Sequence, residues 1–479
     1  MKVAIRRFCE ADIENKVRWI NDPRNNTYLH YDLPLEVEKT RHWFQSVKDQ
    51  RDRYDAVIEA DGEAVGLIGL LSIDSKRMDA EYYVCMGEER CKGKGIARAA
   101  SELLLTYAFE ELRLARVYLF TETENLPAQR LFRRIGFAIE GVREREMLCR
   151  GREVSRFVLG MSREAYYLAR TLSPVQELGE LAGGNRLFVK REDLIPVSFG
   201  GNKARKATLF FEDIDEGGYD CVVSYGGSHS NHCRVVANLA AARNLPCVLI
   251  GPEEVSDETF NSRMMRLFGA KIVSVPVQQV HDTIEQTLQT LREQGKNPYF
   301  IQGGGHGNLG TEAYVRCYEE IRAWEAEKRL RFDFIFLASG TGTTQAGLIC
   351  GQLLHGDARN VVGISIARKN PRGRNVVLES VRDYLTAHGY PVNEDALEKA
   401  TVFLDDYTGD GYGKDNPEID RTIRETLIRY GLPLDSTYTG KAFTGMERYL
   451  TEQGIKGKNI LFLHTGGTPL FFDDLMKNE

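Results

Sequence analysis

Residues 334–344 read Phe-Ile-Phe-Leu-Ala-Ser-Gly-Thr-Gly-Thr-Thr. The five apolar residues predict a strand buried on both faces, and the glycines and hydroxyl side chains that follow predict a turn into a helix. The same order occurs at 221–227 and at 460–467. Buried strands that alternate with helices are typical of parallel sheets covered on both faces. The sequence therefore predicts an α/β fold for this half of the chain, with ligands bound at the carboxyl ends of its strands.

Length and composition limit the possible classes of protein. With 479 residues, 42% hydrophobic and 28% charged, the chain is typical of a globular protein with two or three domains. The formal net charge is -6 and no block of like charge is long enough to follow a nucleic-acid backbone, so we expect no nucleic-acid partner.

The cysteines and the apolar runs bear on the compartment. Nine cysteines without C-x-x-C pairs, and no apolar signal segment, predict reduced thiols in a cytoplasm rather than disulfides or a metal site. No apolar run approaches the roughly 18 residues needed to span a bilayer. We therefore expect a soluble cytoplasmic protein.

The first part of the chain is organised differently. Short strand-like runs alternate there with amphipathic helices, and the pattern ends in a predicted hairpin of residues 143–148 and 153–159. A polar helical segment follows, and a new start occurs at Pro174. We predict two domains, residues 1–165 and 166–479.

A lysine stands in a glycine-bearing turn at residues 200–206, Gly-Gly-Asn-Lys-Ala-Arg-Lys. A lysine becomes an imine-forming nucleophile when burial and neighbouring cations lower its pKa, and Arg205 and Lys206 are such cations. The turn makes Lys203 the candidate amine for a Schiff base with pyridoxal phosphate. An ordinary solvated surface loop is the alternative interpretation.

Three further glycine-rich clusters follow predicted strands. Amides and hydroxyls of residues 225–232 predict an anion pocket suited to a substrate carboxylate, and residues 339–345 predict a phosphate cup. The third cluster, residues 464–468, follows the last predicted strand. Each cluster alone is also what the sterics of a parallel sheet require, but together with Lys203 they predict one cofactor site.

This set of motifs resembles the fold-type II pyridoxal-phosphate enzymes, closest to the D-cysteine desulfhydrase and 1-aminocyclopropane-1-carboxylate deaminase group, over about residues 174–475. The resemblance implies a two-lobed, three-layer parallel-sheet fold like that of tryptophan synthase β. It implies that Lys203 forms the Schiff base, and it indicates which residues of this chain contact the substrate and the coenzyme. Ser230, Asn231 and His232 match the segment that holds the substrate carboxylate and the coenzyme ring oxygen, Gly340, Thr341, Gly342, Thr343 and Thr344 match the phosphate loop, Tyr412 and Tyr438 match two tyrosines that face the substrate, and Thr465 matches the residue beside the pyridine nitrogen.

Two positions favour one reaction over another. A threonine hydroxyl at Thr465 does not enforce a protonated pyridinium, so the ring is a weaker electron sink and β-elimination is favoured, giving a 2-oxo acid and ammonia. The deaminase branch often has a glutamate where this chain has Thr439, so a desulfhydrase-like reaction is favoured over ring opening.

Two departures from the family pattern concern the substrate. His229 replaces the usual glutamine, and residues 305–308 replace a serine or asparagine pattern. His229 either recognises an acidic side group, such as sulfonate or phosphate, or fills space.

Residues 90–97, Arg-Cys-Lys-Gly-Lys-Gly-Ile-Ala, lie between a predicted strand at 81–86 and a predicted helix at 97–111. Glycines there let backbone amides approach a pyrophosphate, and a helix N-terminus adds positive potential. The Lys-Ser/Thr ending of a Walker loop is missing, and so is the full Rossmann pattern. With residues 125–128 and 131–137, this motif resembles the GNAT superfamily of N-acetyltransferases over residues 1–165.

The opening residues 19–23 look like the GNAT branch that acetylates ribosomal-protein termini or nucleotide-linked amino sugars. The resemblance implies that acetyl-CoA is the co-substrate, that backbone amides of residues 91–95 hold its pyrophosphate, and that Asn125 contacts the coenzyme. The implied coenzyme-binding residues are Cys91, Gly93, Lys94, Gly95 and Asn125.

Phe132 departs from the GNAT pattern. Many members have a tyrosine at this position as the acid that reprotonates the departing thiolate, and phenylalanine has no proton to give. The acid must then be Tyr82, Tyr83 or water, or else this half is inactive and serves as an interaction module. Glu81 and Glu122 are possible bases.

Taken together, the sequence predicts a bifunctional enzyme, an acetyltransferase joined to a pyridoxal-phosphate lyase that acts on a small amino acid, with a homodimer formed through the second domain. Several alternatives stay open. They are ring opening of the deaminase type, β-replacement on an O-acetyl amino acid made by the first domain, separate steps of one pathway, and one catalytically dead half that acts as a sensor or scaffold.

Overall fold

The computed structural model describes residues 2–253, 258–407 and 416–477. The chain divides into two compact units, Met1–Arg170 and Thr171–Glu479. Among these residues, no helix has the length and apolar character needed to cross a bilayer. Over the same ranges, no three histidine, cysteine or carboxylate side chains are grouped so that they could hold a metal ion.

The first unit contains one seven-stranded sheet in the order β1-β2-β3-β4-β5-β7-β6. Its neighbours are antiparallel except for β4 and β5, which pair in parallel over only three residues at their start. The strands are β1 (Val3–Arg7), β2 (Tyr54–Ala60), β3 (Glu63–Asp74), β4 (Asp79–Met86), β5 (Arg116–Glu122), β6 (Ala138–Cys149) and β7 (Arg152–Ser162). The helices are α1 (Ile13–Asn21), α2 (Pro23–Asn26), α3 (Val37–Val47), α4 (Ile96–Thr106), α5 (Leu126–Ile135) and α6 (Arg163–Leu168). A π-helical turn, Tyr107–Glu111, follows α4.

The predicted hairpin near the end of this unit is confirmed as β6 and β7. Its two turn residues, Arg150 and Gly151, both have positive φ, 52° and 79°. Such a turn matches the right-handed twist of the strands it joins. The register pairs Cys149 with Arg152.

The second unit contains two sheets. A four-stranded parallel sheet has the order β12-β11-β10-β13, and a six-stranded sheet has the order β16-β15-β14-β17-β9-β8, parallel except for β8. The strands are β8 (Val175–Leu181), β9 (Asn185–Lys190), β10 (Cys221–Tyr225), β11 (Cys247–Pro252), β12 (Lys271–Val275), β13 (Pro298–Ile301), β14 (Phe334–Ser339), β15 (Asn360–Ser365), β16 (Thr401–Leu404) and β17 (Asn459–Leu463). The helices are α7 (Asn202–Gly217), α8 (Asn231–Ala242), α9 (Phe260–Leu267), α10 (Val280–Glu293), α11 (Asn308–Lys328), α12 (Thr343–His355), α13 (Arg372–Ala387), α14 (Glu394–Ala400), α15 (Pro417–Tyr430), α16 (Thr439–Glu452) and α17 (Thr468–Lys477).

Strand β14 shows why its sequence is apolar throughout. Ile335 and Leu337 pack into a core cluster that also holds residues of α11, α12 and α13. Phe336 and Ala338 pack into a second cluster with residues of α15 and α16. Helices therefore cover both faces of the six-stranded sheet, and the predicted α/β fold with two lobes and three layers is confirmed.

Candidate active site

The turn before α7 carries Lys203 to the end of β17. Gly200 and Gly201 have positive φ, 62° and 95°, a conformation that favours glycine. A Cβ atom at Gly201 would lie 2.8 Å from the carbonyl oxygen of Thr465, and the backbone N–H of Asn202 donates to that oxygen at 2.9 Å. The turn is thus fastened to the loop that follows β17, at the carboxyl end of the six-stranded sheet.

The amine of Lys203 is held by a backbone carbonyl. Its Nζ donates to the oxygen of Gly304 at 3.0 Å, in the loop after β13, and burial lowers its pKa to about 8. Lys203 thus reaches the carboxyl end of the other sheet as well. An amine with this pKa is partly uncharged at neutral pH and can react as a nucleophile.

The expected cause of that activation is partly wrong, because burial and not the cation Arg205 lowers the pKa. Arg205 is 2% exposed and bonds two buried carboxylates, those of Glu192 and Glu320, at 2.6 to 3.0 Å. Lys190 bonds the same Glu320 at 2.7 Å. Burial alone would raise the pKa of Glu192, but the charge of Arg205 overrides it and lowers that pKa to about 2. Arg205 is therefore part of a neutralised structural network.

The loop between β14 and α12 contains the predicted phosphate cup. Gly342 has φ 93°, and α12 begins at Thr343, so the first backbone amides of that helix have no partner within the helix. Two side chains beside Lys203 fix the loop: the Nδ2 of Asn202 donates to Thr344 at 3.1 Å, and the Nζ of Lys206 donates to the hydroxyl of Thr343 at 2.5 Å. A helix N-terminus with adjacent hydroxyls and an amine fits a phosphate monoester.

Sequence reasoning missed that Lys206 and Asn202 hold this loop, although both stand close to Lys203 in the same motif. Burial, together with the nearby charge of Lys203, lowers the pKa of Lys206 well below its usual value. A dianionic phosphate group beside Lys206 would favour its protonated form.

Helix α8 begins at the predicted carboxylate segment. The hydroxyl of Ser230 caps the helix by accepting from the N–H of Cys233 at 3.1 Å, and the Oδ1 of Asn231 accepts from Asn261 at 3.0 Å. Both residues therefore lie at the carboxyl end of β10, with their positions fixed by local hydrogen bonds. The arrangement leaves the helix N-terminus as the element suited to an anion.

The two histidines of this segment differ. His232 is 3% exposed and its Nε2 lies 2.9 Å from the hydroxyl of Ser224, while burial and the charges of Lys203 and Lys206 hold its pKa well below the usual value. Its ring is therefore neutral near the two lysines. His229 is half-buried, and its Nδ1 lies 3.2 Å from the hydroxyl of Ser228.

A buried aspartate links the remaining predicted residues, and sequence reasoning missed it. Asp435 is fully buried and accepts from the backbone N–H of Tyr438 and the hydroxyl of Thr439, both at 2.7 Å. Burial raises the pKa of Asp435 to about 6. A Cβ atom at Gly467 would lie 2.2 Å from its Oδ2, so this carboxylate also contacts the loop that contains Thr465. Thr465 itself is 8% exposed. Tyr412 lies outside the described residues.

In the first unit, the predicted coenzyme loop is a turn that leads into α4. Gly93 and Gly95 have φ 75° and 82°, and α4 begins at Ile96 directly after them. Strands β4 and β5 pair only from Asp79 to Glu81, so their carboxyl-terminal halves are not bonded to each other. The side-chain oxygen of Asn125 caps α5 by accepting from Ala128 at 3.2 Å.

Phe132 is 6% exposed and packs edge-on against Tyr82, with ring centroids 5.9 Å apart. The hydroxyl of Tyr82 lies 2.6 Å from that of Ser101 in the core, and burial raises its pKa. The hydroxyl of Tyr83 donates to Asp55 at 2.7 Å. Both tyrosines thus have protein partners, which favours water as the acid.

The two candidate bases have different surroundings. Burial raises the pKa of Glu81, which is half-buried on β4. Glu122, at the end of β5, is 3% exposed and lies between His30 at 2.9 Å and Arg152 at 2.5 Å. A raised pKa like that of Glu81 suits a general base.

Comparison with known proteins matches both units. The family described as "Pyridoxal-phosphate dependent enzyme" matches residues 168–466, and that described as "Acetyltransferase (GNAT) domain" matches residues 2–138. The chain is 34% identical over 312 residues to a 1-aminocyclopropane-1-carboxylate deaminase of Ralstonia nicotianae, covering 62% of this chain and 91% of the relative. It is 33% identical over 316 residues to a D-cysteine desulfhydrase of Yersinia pestis, covering 64% and 94%. A crystal structure of a homologue of the deaminase, 29% identical, superposes with a TM-score of 0.58 over 66% of this chain and 98% of that one.

Proposed function

The chain belongs to the family of pyridoxal-phosphate dependent enzymes and also carries a GNAT acetyltransferase domain, and from that premise we propose that it is bifunctional. Residues 166–479 form a β-eliminating lyase that converts a small amino acid to a 2-oxo acid and ammonia. Residues 1–165 form an acetyltransferase that uses acetyl-CoA. The observation that carries the first assignment is the amine of Lys203, held by the carbonyl oxygen of Gly304 at 3.0 Å beside a loop suited to a phosphate, and its lowered pKa supports the same assignment.

The residues present fit pyridoxal phosphate. Lys203 would hold its carbonyl carbon, residues 340–344 with Asn202 and Lys206 would hold its phosphate, and Thr465 would face its ring nitrogen. When bound, the coenzyme withdraws electrons from the Cα of the substrate and so makes its proton acidic. The N-terminus of α8, with Ser230 and Asn231, would hold the substrate carboxylate.

Lys203 is also the group that would move the proton. Its Nζ, freed when the substrate amine replaces it on the coenzyme, would take the Cα proton, and the Cβ substituent would leave with the electrons of its bond. The released unsaturated amine then loses ammonia to water and becomes a 2-oxo acid. Tyr438, and Tyr412 of the same resemblance, are the residues proposed to face the leaving group.

The desulfhydrase-like reaction is favoured over ring opening by the surroundings of Thr439. Its side chain is fully buried and its hydroxyl donates to Asp435, so this position provides no carboxylate to the substrate. Ring opening of 1-aminocyclopropane-1-carboxylate is the second candidate, since relatives of both names share about the same identity with this chain.

The lyase assignment is tested by incubating the coenzyme-loaded protein with D- and L-cysteine, cysteate, serine, O-acetylserine and 1-aminocyclopropane-1-carboxylate. We expect 2-oxo acid from amino acids with a leaving group on Cβ, and none from the Lys203→Ala variant. If only the cyclopropane compound reacts, the deaminase candidate replaces the lyase. Light scattering tests the proposed homodimer.

For the first unit, calorimetry with acetyl-CoA tests the predicted coenzyme loop. We expect binding by the native protein and weaker binding by Gly95→Val, because a β-branched residue is strained at φ 82°. No acetyl-CoA binding by the native protein would show that this half is an interaction module.

The two activities would share an intermediate if the first unit acetylates a hydroxyl, because acetate is a better leaving group than hydroxide. Acetyl-CoA should then raise 2-oxo acid release, or β-replacement, from an unacetylated hydroxy-amino acid. Unchanged turnover would leave two independent activities.

A further inference from the structure

Arg368 carries a charge that no residue of the described structure neutralises. It lies between β15 and α13, at the carboxyl end of the six-stranded sheet. Its Nη1 is buried and has no hydrogen-bond partner within residues 2–253, 258–407 and 416–477, and no carboxylate of those residues forms an ion pair with it. Leaving a buried donor of a charged group unpaired is costly, so a partner beyond the described residues is expected.

The position of Arg368 relative to Lys203 follows from the loop after β13. A Cβ atom at Gly303 would lie 2.5 Å from the Cζ of Tyr225, and one at Gly304 would lie 3.4 Å from the Nζ of Lys203. Tyr225 and the Lys203 amine therefore pack on consecutive residues of one backbone segment.

Arg368 lies near two residues that border this segment. The tyrosine oxygen of Tyr225 and the ring of His306 both interact electrostatically with Arg368, and the His306 ring is bonded to the backbone of Thr341, in the phosphate loop. Burial, aided by the neighbouring charge of Arg372, lowers the pKa of Arg368. Arg368, His306 and Tyr225, here called the Arg368 cluster, thus border the site that contains Lys203.

The charges around the Arg368 cluster are mostly positive. Lys206 and Arg368 both act on the His306 ring, and Asp383 of α13 is the acidic group that opposes them. The phosphate cup already has the side chains of Lys206 and Asn202. Because no carboxylate in the described part of the chain pairs with Arg368, we expect a second anion beside it.

We propose that the Arg368 cluster binds an anionic group, such as a phosphate, sulfonate or carboxylate, on the side chain of the amino-acid substrate. This inference rests on the proposed lyase function and names its substrate class. A guanidinium is suited to an oxoanion because its N–H groups match two oxygens at once. The Tyr225 hydroxyl and the His306 ring supply further polar contacts.

With a phosphate ester or a sulfonate on Cβ, the same anion is the leaving group of the β-elimination. With O-phosphoserine, Lys203 takes the Cα proton, the Cβ–O bond breaks, and its electrons leave with the phosphate. Water then completes the conversion to 2-oxo acid and ammonium, so no oxidant or reductant is needed. Arg368 would stabilise the charge on the departing group.

The test compares Arg368→Gln with Arg372→Gln, a matched control that removes an exposed cation at the first position of α13. The kcat/KM values are measured with both enantiomers of O-phosphoserine and cysteate, and with cysteine as the substrate whose side chain has no fixed anion. We expect Arg368→Gln to lose about 10- to 100-fold with the anionic substrates and less than about threefold with cysteine. Arg372→Gln should lose less than about threefold with all of them.

A second measurement does not depend on turnover. Inorganic phosphate and sulfate are titrated into the coenzyme-loaded proteins by calorimetry, and coenzyme content is read from absorbance. We expect weaker anion binding by Arg368→Gln and unchanged coenzyme content. If no amino acid reacts but this difference in anion binding persists, the lyase function fails while the anion site stands.

Two results would overturn the proposal. Equal losses with anionic and neutral substrates would assign Arg368 a structural role. Loss of bound coenzyme from Arg368→Gln, with anion binding otherwise unaltered, would assign Arg368 to the coenzyme instead.

Discussion

Because burial lowers the pKa of Lys203, its rate of reaction with the coenzyme should reach a plateau at a lower pH than that of a solvated lysine. Burial lowers its pKa to about 8, against about 10.4 for an ordinary lysine. At pH 7.5 about a quarter of the Lys203 amine is then uncharged, compared with about 0.1% of a solvated lysine. The reactive fraction is therefore about 200-fold larger.

The assay mixes coenzyme-free protein with pyridoxal phosphate between pH 6 and pH 10, traps the product with borohydride, and measures the label on the Lys203 peptide by mass spectrometry. We expect the rate to rise about tenfold per pH unit, because the depressed pKa releases the proton as pH increases, and to level off above about pH 8. The ε-amine of Nα-acetyl-lysine methyl ester has an ordinary pKa and gives a reference profile under the same conditions. A Lys203 rate that keeps rising to pH 10 in parallel with this reference would show that Lys203 also has an ordinary pKa.

Three further predictions concern single substitutions. Arg205→Met leaves the buried Glu192 without its cation and Glu320 with Lys190 alone, and should lower the free energy of unfolding of the second unit by about 3–5 kcal/mol in a urea titration; a change below about 1 kcal/mol would contradict the network. Gly201→Ala should cost about 1–3 kcal/mol and weaken coenzyme binding, because its Cβ would lie 2.8 Å from the oxygen of Thr465, whereas Gly218→Ala, with φ 65° and open space around it, should cost about 1 kcal/mol without affecting the coenzyme. Tyr82→Phe should keep acetyl transfer within about threefold and lower stability by about 0.5–1.5 kcal/mol; a loss of 100-fold in transfer would identify this tyrosine as the acid.

The strands and turns of the second unit could be predicted because their causes are local. The apolar run at 334–338 became β14 (Phe334–Ser339), and the helix expected after Lys203 became α7 (Asn202–Gly217). An uninterrupted apolar run and a glycine with positive φ carry their structural meaning within a few residues. The hairpin of β6 and β7 was predictable for the same reason.

Pairing between distant residues could not be predicted. Arg205 bonds Glu320, 115 positions along the chain, so its proximity to Lys203 in sequence suggested an activating cation where the fold has a neutralised network. Asp435 appears in sequence as one more acidic residue, yet its burial makes it the link between Tyr438 and the loop after β17. That Arg368 has no ion-pair partner within the described ranges is likewise visible only from the folded structure.

The central claim is that Lys203 catalyses β-elimination with the bound coenzyme. The most direct measurement is the yield of 2-oxo acid and ammonia from amino acids that carry a leaving group on Cβ, with native protein and with Lys203→Ala, both at known coenzyme content. We expect equal amounts of the two products from the native protein and none from the variant. Native protein with bound coenzyme that releases no 2-oxo acid from any of these amino acids, or a variant that releases it at the native rate, would show that Lys203 does not catalyse this β-elimination.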